Sequence, residues 1–199
     1  MCGLLEAIEN VRNSDIGRVI GRRMQEFKAF EAKSDEELFK ELCFCLMTAN
    51  FNAERSIRIQ EEIGEGFLLL PEARLARSLA KLGHRFPNAR ASFIVEARKH
   101  KGSLRSADRE WLVGNVRGLG YKEASHFLRN TGKTDVSIID FHIIDLLVRN
   151  KLVRRPKSLA KASYLQIEGT LKRLADKSGL NLAELDLYLW YIETGKVLK

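Results

Sequence analysis

The sequence predicts an all-α protein built in two lobes. Apolar residues recur at helical spacing in almost every segment, and no stretch alternates apolar and polar residues as a half-buried strand would. A short polar link, Gly132-Lys133-Thr134-Asp135, interrupts that pattern and reads as the crossing between lobes. A chain of 199 residues can bury one core or two small ones. We expect one unit over 1–199, with a helical-barrel subdomain over 35–131 that ends in a helix hairpin, and a second subdomain from 1–34 plus 132–199.

The elements follow in order. Leu4, Leu5, Ile8 and Val11 mark a first helix, and Val19, Ile20, Met24 and Phe27 a second. Ser34 before Asp35-Glu36-Glu37 is a cap with acidic first-turn residues, opening a strongly apolar helix through Leu38, Leu42, Phe44, Cys45 and Leu46. Asn52 or Ala53 starts the next, through Ile57, Ile59 and Ile63, which stops near Gly64-Glu65-Gly66. Pro71 is placed at the first position of a helix carrying Leu75 and Leu79, and Pro87 opens another with Phe93, Ile94 and Ala97. Asp108 caps or leads a helix containing Trp111, Leu112 and Val116. After a glycine hairpin comes a helix from Lys122 to Asn130, stopped at Thr131-Gly132. The apolar run Val136-Ser137-Ile138-Ile139 returns the chain to the core, and Asp140 to Asn150 form a helix with Ile143, Leu146 and Leu147 on one face. Two last helices are expected, from Ser158 to Lys177 and from Leu182 to Glu193.

Composition narrows the function classes. The longest apolar runs, such as Phe67-Leu68-Leu69-Leu70, are far too short to span a bilayer. The first residues lack a basic stretch followed by a long apolar core, so no secretory signal is read, and a cytoplasmic monomer with no membrane partner is expected. Cys2, Cys43 and Cys45 have no metal-ligand spacing and read as reduced thiols; three cysteines cannot hold a four-cysteine iron–sulfur cluster. A net charge of +8 and a pI near 9.5 favour a polyanionic partner. Two basic clusters stand out: Arg98, Lys99, Lys101 and Arg105, and the acid-free set Arg149, Lys151, Arg154, Arg155 and Lys157. Either is solvated surface charge or a nucleic-acid contact.

Val116-Arg117-Gly118-Leu119-Gly120-Tyr121-Lys122 carries the most chemistry. Gly-Leu-Gly before a helix start reads as a tight hairpin between two helices, with Gly118 and Gly120 permitting unusual backbone and close approach. The amides that open the second helix present the positive end of its dipole, which suits a DNA phosphate. Lys122 falls in that first turn, and Asp140 begins the following helix. Two helix starts facing one cleft would bring the pair together. A lysine is a poor nucleophile while protonated; a helix N-terminus and partial desolvation favour the neutral amine. A carboxylate nearby stabilises positive charge developing on a sugar. Together they suit attack on C1′ of a deoxyribose, a Schiff base and β-elimination. The alternatives are a phosphate-contacting lysine and a helix-capping aspartate.

Gly118-Leu119-Gly120-Tyr121-Lys122-Glu123-Ala124-Ser125-His126-Phe127-Leu128-Arg129-Asn130, followed by Ile138-Ile139-Asp140-Phe141-His142, resembles the helix-hairpin-helix DNA glycosylase superfamily. Within it the sequence is similar to the archaeal-type (type 2) 8-oxoguanine DNA glycosylase/AP lyases. The resemblance covers nearly the whole chain, including Leu42 to Asn50, Arg85-Phe86-Pro87-Asn88 and Asp186 through Lys199. It implies a two-lobed helix-hairpin-helix glycosylase fold with the active-site cleft between lobes, and duplex DNA containing 8-oxoguanine as partner. Lys122 is then the Schiff-base nucleophile and Asp140 its assisting aspartate; Phe141 stands where close relatives often carry arginine. Glycosylases of other damaged bases on this fold, and a non-catalytic DNA-binding module, remain the alternatives.

The resemblance implies further roles. A monovalent cation, sodium or potassium, is expected on the carbonyls of Gly114, Val116 and Leu119, with no other cofactor. Asn50 matches a residue inserted into the stack when the base flips out, or else simply ends its helix. Phe86 and Trp190 would sandwich the extruded base, or pack in the core. Ser125 and His126 line the pocket or pack the helix. Lys199 matches a terminal lysine that helps recognise the lesion, the other reading being a frayed tail. 8-Oxoguanine carries a hydrogen at N7 where guanine has a lone pair. A misplaced acceptor facing that lone pair costs about 1–3 kcal/mol, enough to discriminate. Arg149, Arg154 and Arg155 are the expected phosphate contacts of the second cluster.

Overall fold

The computed structural model describes residues 2–199, the side chain of Cys2 excepted. Every regular element among them is helical. The α-helices are α1 (Cys2–Arg12), α2 (Asp15–Ala29), α3 (Asp35–Thr48), α4 (Ala53–Ile63), α5 (Gly66–Leu69), α6 (Glu72–Lys81), α7 (Pro87–Ala97), α8 (Arg109–Asn115), α9 (Tyr121–Asn130), α10 (Phe141–Arg149), α11 (Lys161–Ser178) and α12 (Leu182–Thr194). Short 3-10 turns cover Phe30–Ala32 and Arg98–Ser106. The chain divides into two compact units, one of Met1–Ala29 with Gly132–Lys199 and one of Phe30–Thr131.

The Phe30–Thr131 unit is built around α3. From Leu38 to Thr48 this helix is buried at every position but Lys40, which is what an apolar helix with no polar face must be. Helices α4, α5, α7 and α9 and the 98–106 turns pack on it. Ser34 caps it in a full capping box with Glu37. The unit begins at Phe30 and not at residue 35, because Arg105 holds the Glu31 and Lys33 carbonyls at 3.0 and 2.6 Å. Pro71 stands at the cap of α6, one position before its expected place.

The other unit is built around α12, whose residues from Leu182 to Leu189 are buried at all positions but Glu184. Helices α1, α2, α10 and α11 pack on it. Truncating a buried leucine in either central helix should cost about 2–5 kcal/mol. The Thr134 carbonyl caps α12, accepting from the Leu182 and Ala183 amides at 3.1 and 3.3 Å. The extended run Val136–Ile139 is buried and held by α11. The Tyr164 hydroxyl donates to the Ser137 carbonyl (2.6 Å) and accepts from the Ile139 amide (3.2 Å), and Glu168 accepts the Ser137 N–H at 3.1 Å. These bonds settle where Asp140 emerges. Helix α11 starts at Lys161 instead of Ser158; the Ser158 carbonyl instead accepts the Ser163 hydroxyl.

Candidate active site

The hairpin joins α8 to α9. Gly118 has φ +92°, and a Cβ there would lie 2.4 Å from the Phe93 ring, so both the turn and the close approach demand glycine. Gly120 caps α9 without a side chain, whereas α3, α4, α8, α10 and α12 are all capped by side-chain oxygens. The first-turn amides of α9 therefore remain for an outside acceptor such as phosphate. Glu123 closes the turn by accepting the Gly120 N–H at 3.3 Å. It also lies 3.5 Å from the Lys122 ammonium, and the lysine side chain is 28% exposed. Lys122 is thus tethered and still reachable from outside.

Farther along α9 the expected pocket residues turn inward. Ser125 is fully buried and its hydroxyl accepts from Arg109 at 3.2 Å, tying α9 to α8. His126 is buried edge-on against Phe44, with ring centroids 5.4 Å apart. Both serve helix packing here.

Asn50 and Phe86 lie at the surface of the same unit. Asn50 follows α3 with φ +57°, a conformation that asparagine tolerates better than most residues, and it is exposed. Phe86 is 37% exposed, with the guanidinium carbons of Arg85 and Arg90 at 4.9 and 5.8 Å from its ring centre. It does not pack in the core.

In the other unit, Asp140 caps α10, one carboxylate oxygen accepting the Ile143 N–H at 3.0 Å. A carboxylate has further acceptor sites, so capping orients it without using it up. Trp190 on α12 is half-buried and meets His142 edge-on at 5.0 Å, while exposed Phe141 stacks on His142 at 3.9 Å. The Trp190 indole nitrogen is buried and has no hydrogen-bond partner among the described residues. Val197, Leu198 and Lys199 are each half-buried, so this segment is not a frayed tail.

The basic clusters divide. Arg98 donates to the Phe67 and Leu70 carbonyls at 2.8 and 2.7 Å, Lys101 pairs with Glu36, Lys99 lies 3.8 Å from Glu96, and Arg105 holds the start of its unit. That cluster is internal scaffolding, since its charges are matched by carbonyls and carboxylates. In the second, Arg149 pairs with Glu193 and Arg155 with Asp145, while Arg154 and Lys157 are exposed with no such pair among the described residues. Cys43 and Cys45 are buried and form no disulfide, and burial pushes the Cys43 thiol well above the ordinary thiol range. The expectation for the Cys2 side chain lies outside the described residues. Among those residues no group of three His, Cys, Asp or Glu could hold a metal, and no helix is long and apolar enough to cross a membrane.

The family model described as 8-oxoguanine DNA glycosylase matches residues 20–180. The chain belongs to the 8-oxoguanine DNA glycosylase family. A Korarchaeum cryptofilum protein named 8-oxoguanine DNA glycosylase/AP lyase is 55% identical, over 98% of each chain. The Methanocaldococcus jannaschii 8-oxoguanine glycosylase/lyase, solved with a 15mer DNA containing 8-oxoguanine, superposes with a TM-score of 0.96 at 52% identity, covering 98% of this chain and 99% of that one. The Thermotoga maritima 8-oxoguanine DNA glycosylase gives 0.94 at 45% identity, covering 99% of both. Within this family member, sequence reasoning missed His84, which bridges the Asn50 and Phe86 segments, and Tyr164 and Glu168, which hold the run before Asp140. None belongs to a local motif; each is defined by a partner distant in sequence.

Proposed function

We infer that this chain is a bifunctional 8-oxoguanine DNA glycosylase/AP lyase of base-excision repair, acting on duplex DNA. The observation that carries this is the end-to-end match to the M. jannaschii glycosylase/lyase solved with lesion-containing DNA. The lesion base must leave the stack before the glycosidic bond can be reached. Once its ammonium has given up a proton to solvent, Lys122 attacks C1′, the C1′–N9 bond breaks, and the base departs with the bonding pair and a proton from the attacking nitrogen. Opening the sugar leaves a Schiff base between C1′ and the lysine nitrogen. Loss of the C2′ proton then expels the 3′ phosphate, cutting the strand 3′ to the abasic site, and water releases the lysine. Asp140, oriented by its cap bond, stabilises the positive charge that develops at the sugar.

Asn50 fills the vacated stack, and Phe86 and Trp190 give the base aromatic contacts. The buried indole N–H of Trp190 suits a polar atom of that base. Lys199 contributes to lesion recognition. Gly118, Gly120 and Arg154 meet phosphates, with Arg149 and Arg155 adding charge that is partly offset by their acidic partners. A sodium or potassium ion is proposed on the carbonyls of Gly114, Val116 and Leu119: Gly114 lies in the last turn of α8 and Leu119 precedes the cap of α9, so neither carbonyl has a partner within its helix, and the Val116 carbonyl, which accepts the Leu119 N–H at 3.2 Å, keeps a second lone pair. We place the protein in the cytoplasm with its DNA substrate.

Borohydride trapping on a duplex containing 8-oxoguanine tests the reading. The wild-type chain should form a covalent adduct, and Lys122→Gln should lose both the adduct and base release. Full lyase activity in that variant would reassign the nucleophile. Intact DNA binding without any adduct would favour a purely DNA-binding module.

A further inference from the structure

The segments that bear Asn50 and Phe86 share one internal clamp. His84, in the turn between α6 and α7, is 4% exposed. Its Nε2 lies 3.1 Å from the Met47 carbonyl, near the end of α3, and its Nδ1 accepts the Phe86 N–H at 3.1 Å. A carbonyl only accepts and an amide N–H only donates. One ring state serves both partners: a neutral imidazole with its proton on Nε2. The ring also lies on Phe51, centroids 4.3 Å apart. Around it, Arg90 donates to the Ala49 carbonyl at 2.6 Å and Arg55 to the Gly83 carbonyl at 3.0 Å. Carbonyls at the end of α3 have no partner within the helix, so these side chains fix the path of the chain into Asn50.

We propose that His84 is a positioning residue for DNA engagement, holding Asn50 and Phe86 as one rigid pair that meets the duplex in register as the lesion base leaves the stack. This rests on the glycosylase reading above. Extruding a base costs unstacking and unpairing, a cost an abasic site lacks. Loosening the pair therefore slows excision from a base-bearing duplex and spares cleavage at an abasic site. Acid should loosen it too. Protonation would set a second ring N–H against the Phe86 N–H. Burial, with Arg90 and Arg55 as the neighbouring charges, holds the imidazole below its ordinary 6.5, so the clamp is intact at neutral pH and lost as pH falls through that depressed value.

The test compares His84→Leu and His84→Gln with the wild-type chain in two assays on one duplex: single-turnover release of 8-oxoguanine, and borohydride trapping at a preformed abasic site. His84→Leu should slow excision about tenfold or more, the consequence of leaving buried partners unsatisfied, with abasic trapping unchanged. His84→Gln supplies a donor and an acceptor without a titrating ring; it should recover most of the excision rate. The ratio of excision to abasic trapping cancels the protonation of Lys122, common to both assays, and in His84→Gln it should no longer fall in acid as it does in the wild type. Equal losses in both assays would mean general support of the fold and would overturn the proposal. So would full excision by His84→Leu, or an excision-to-trapping ratio that falls in acid as steeply in His84→Gln as in the wild type. Should His84→Leu not fold, the pH dependence of that ratio in His84→Gln decides alone. A wild-type chain that fails to trap on the lesion duplex would instead remove the glycosylase reading, and that outcome is read before any variant.

Discussion

Replacing Gly118 by alanine tests why the hairpin needs its first glycine. Two costs add. At φ +92° an L side chain is strained by about 1–2 kcal/mol. The added Cβ would also lie 2.4 Å from Phe93 Cδ2 and 2.8 Å from Cε2. Relieving that contact means moving a ring that Arg117 and Arg90 cover at 5.0 and 5.7 Å, and overpacking of this kind costs about 1–3 kcal/mol. Gly118→Ala should therefore lose about 2–5 kcal/mol of stability. Urea unfolding of four proteins measures it: wild type, Gly118→Ala, Phe93→Ala and the double variant. In the double variant the ring is gone and only the backbone strain should remain, so the two substitutions must couple by about 1–3 kcal/mol. Gly120→Ala is the internal control. Its φ of −96° is ordinary, and its Cβ would come no closer than 3.2 Å to the Glu123 carboxylate. A Gly118→Ala protein within about 0.5 kcal/mol of wild type would refute the reasoning, as would strict additivity with Phe93→Ala.

Other outcomes follow from the same geometry. Deleting Lys199 should reduce preference for 8-oxoguanine over guanine more than it reduces affinity for duplex DNA; equal losses in competition binding and excision would count against a recognition role. The Lys101 ammonium, hydrogen-bonded to Glu36, lowers that carboxyl from 4.5 to about 2. Its folded value lies below its unfolded one, so its contribution to stability is complete above 4.5 and fades as pH falls toward 2. Lys101→Met should raise the Glu36 titration midpoint seen by NMR, and an unchanged midpoint would deny the pairing. If the hairpin carbonyls hold a monovalent cation, exchanging potassium for choline at constant ionic strength should lower the thermal midpoint and weaken DNA binding together; identical midpoints in the two salts would exclude the site.

How far each feature could be read in advance depended on how local its cause is. Ser34, Asn52, Asp108, Asp140 and Asn181 all cap helices, and all five of those helix starts were recognisable, four of them from the capping residue itself, because a cap acts over three residues. The Gly-Leu-Gly hairpin was recognisable for the same reason, while its contact with Phe93 was not. The cluster from Arg98 to Arg105 reads in the sequence as either solvated charge or a nucleic-acid contact, because charge is visible along the chain and its partners are not. Arg98 is spent on carbonyls at 67 and 70, and Arg105 on carbonyls at 31 and 33. Ser125 and His126 share a helix with Lys122, yet they are buried against α8 and α3, which periodicity alone could not assign.

By itself the sequence determined the all-α class, the side-chain-capped helix starts, the hairpin and the placing of Lys122 and Asp140 at the openings of helices. Each follows from spacing, capping and backbone freedom, which are properties of neighbouring residues. Only the tertiary structure decided which cations are spent on internal partners, that Ser125 and His126 face inward, and that His84 ties the Phe86 segment to the end of α3. Such bonds join groups tens of residues apart, and no local pattern records a hydrogen bond whose two ends meet only when the chain has folded.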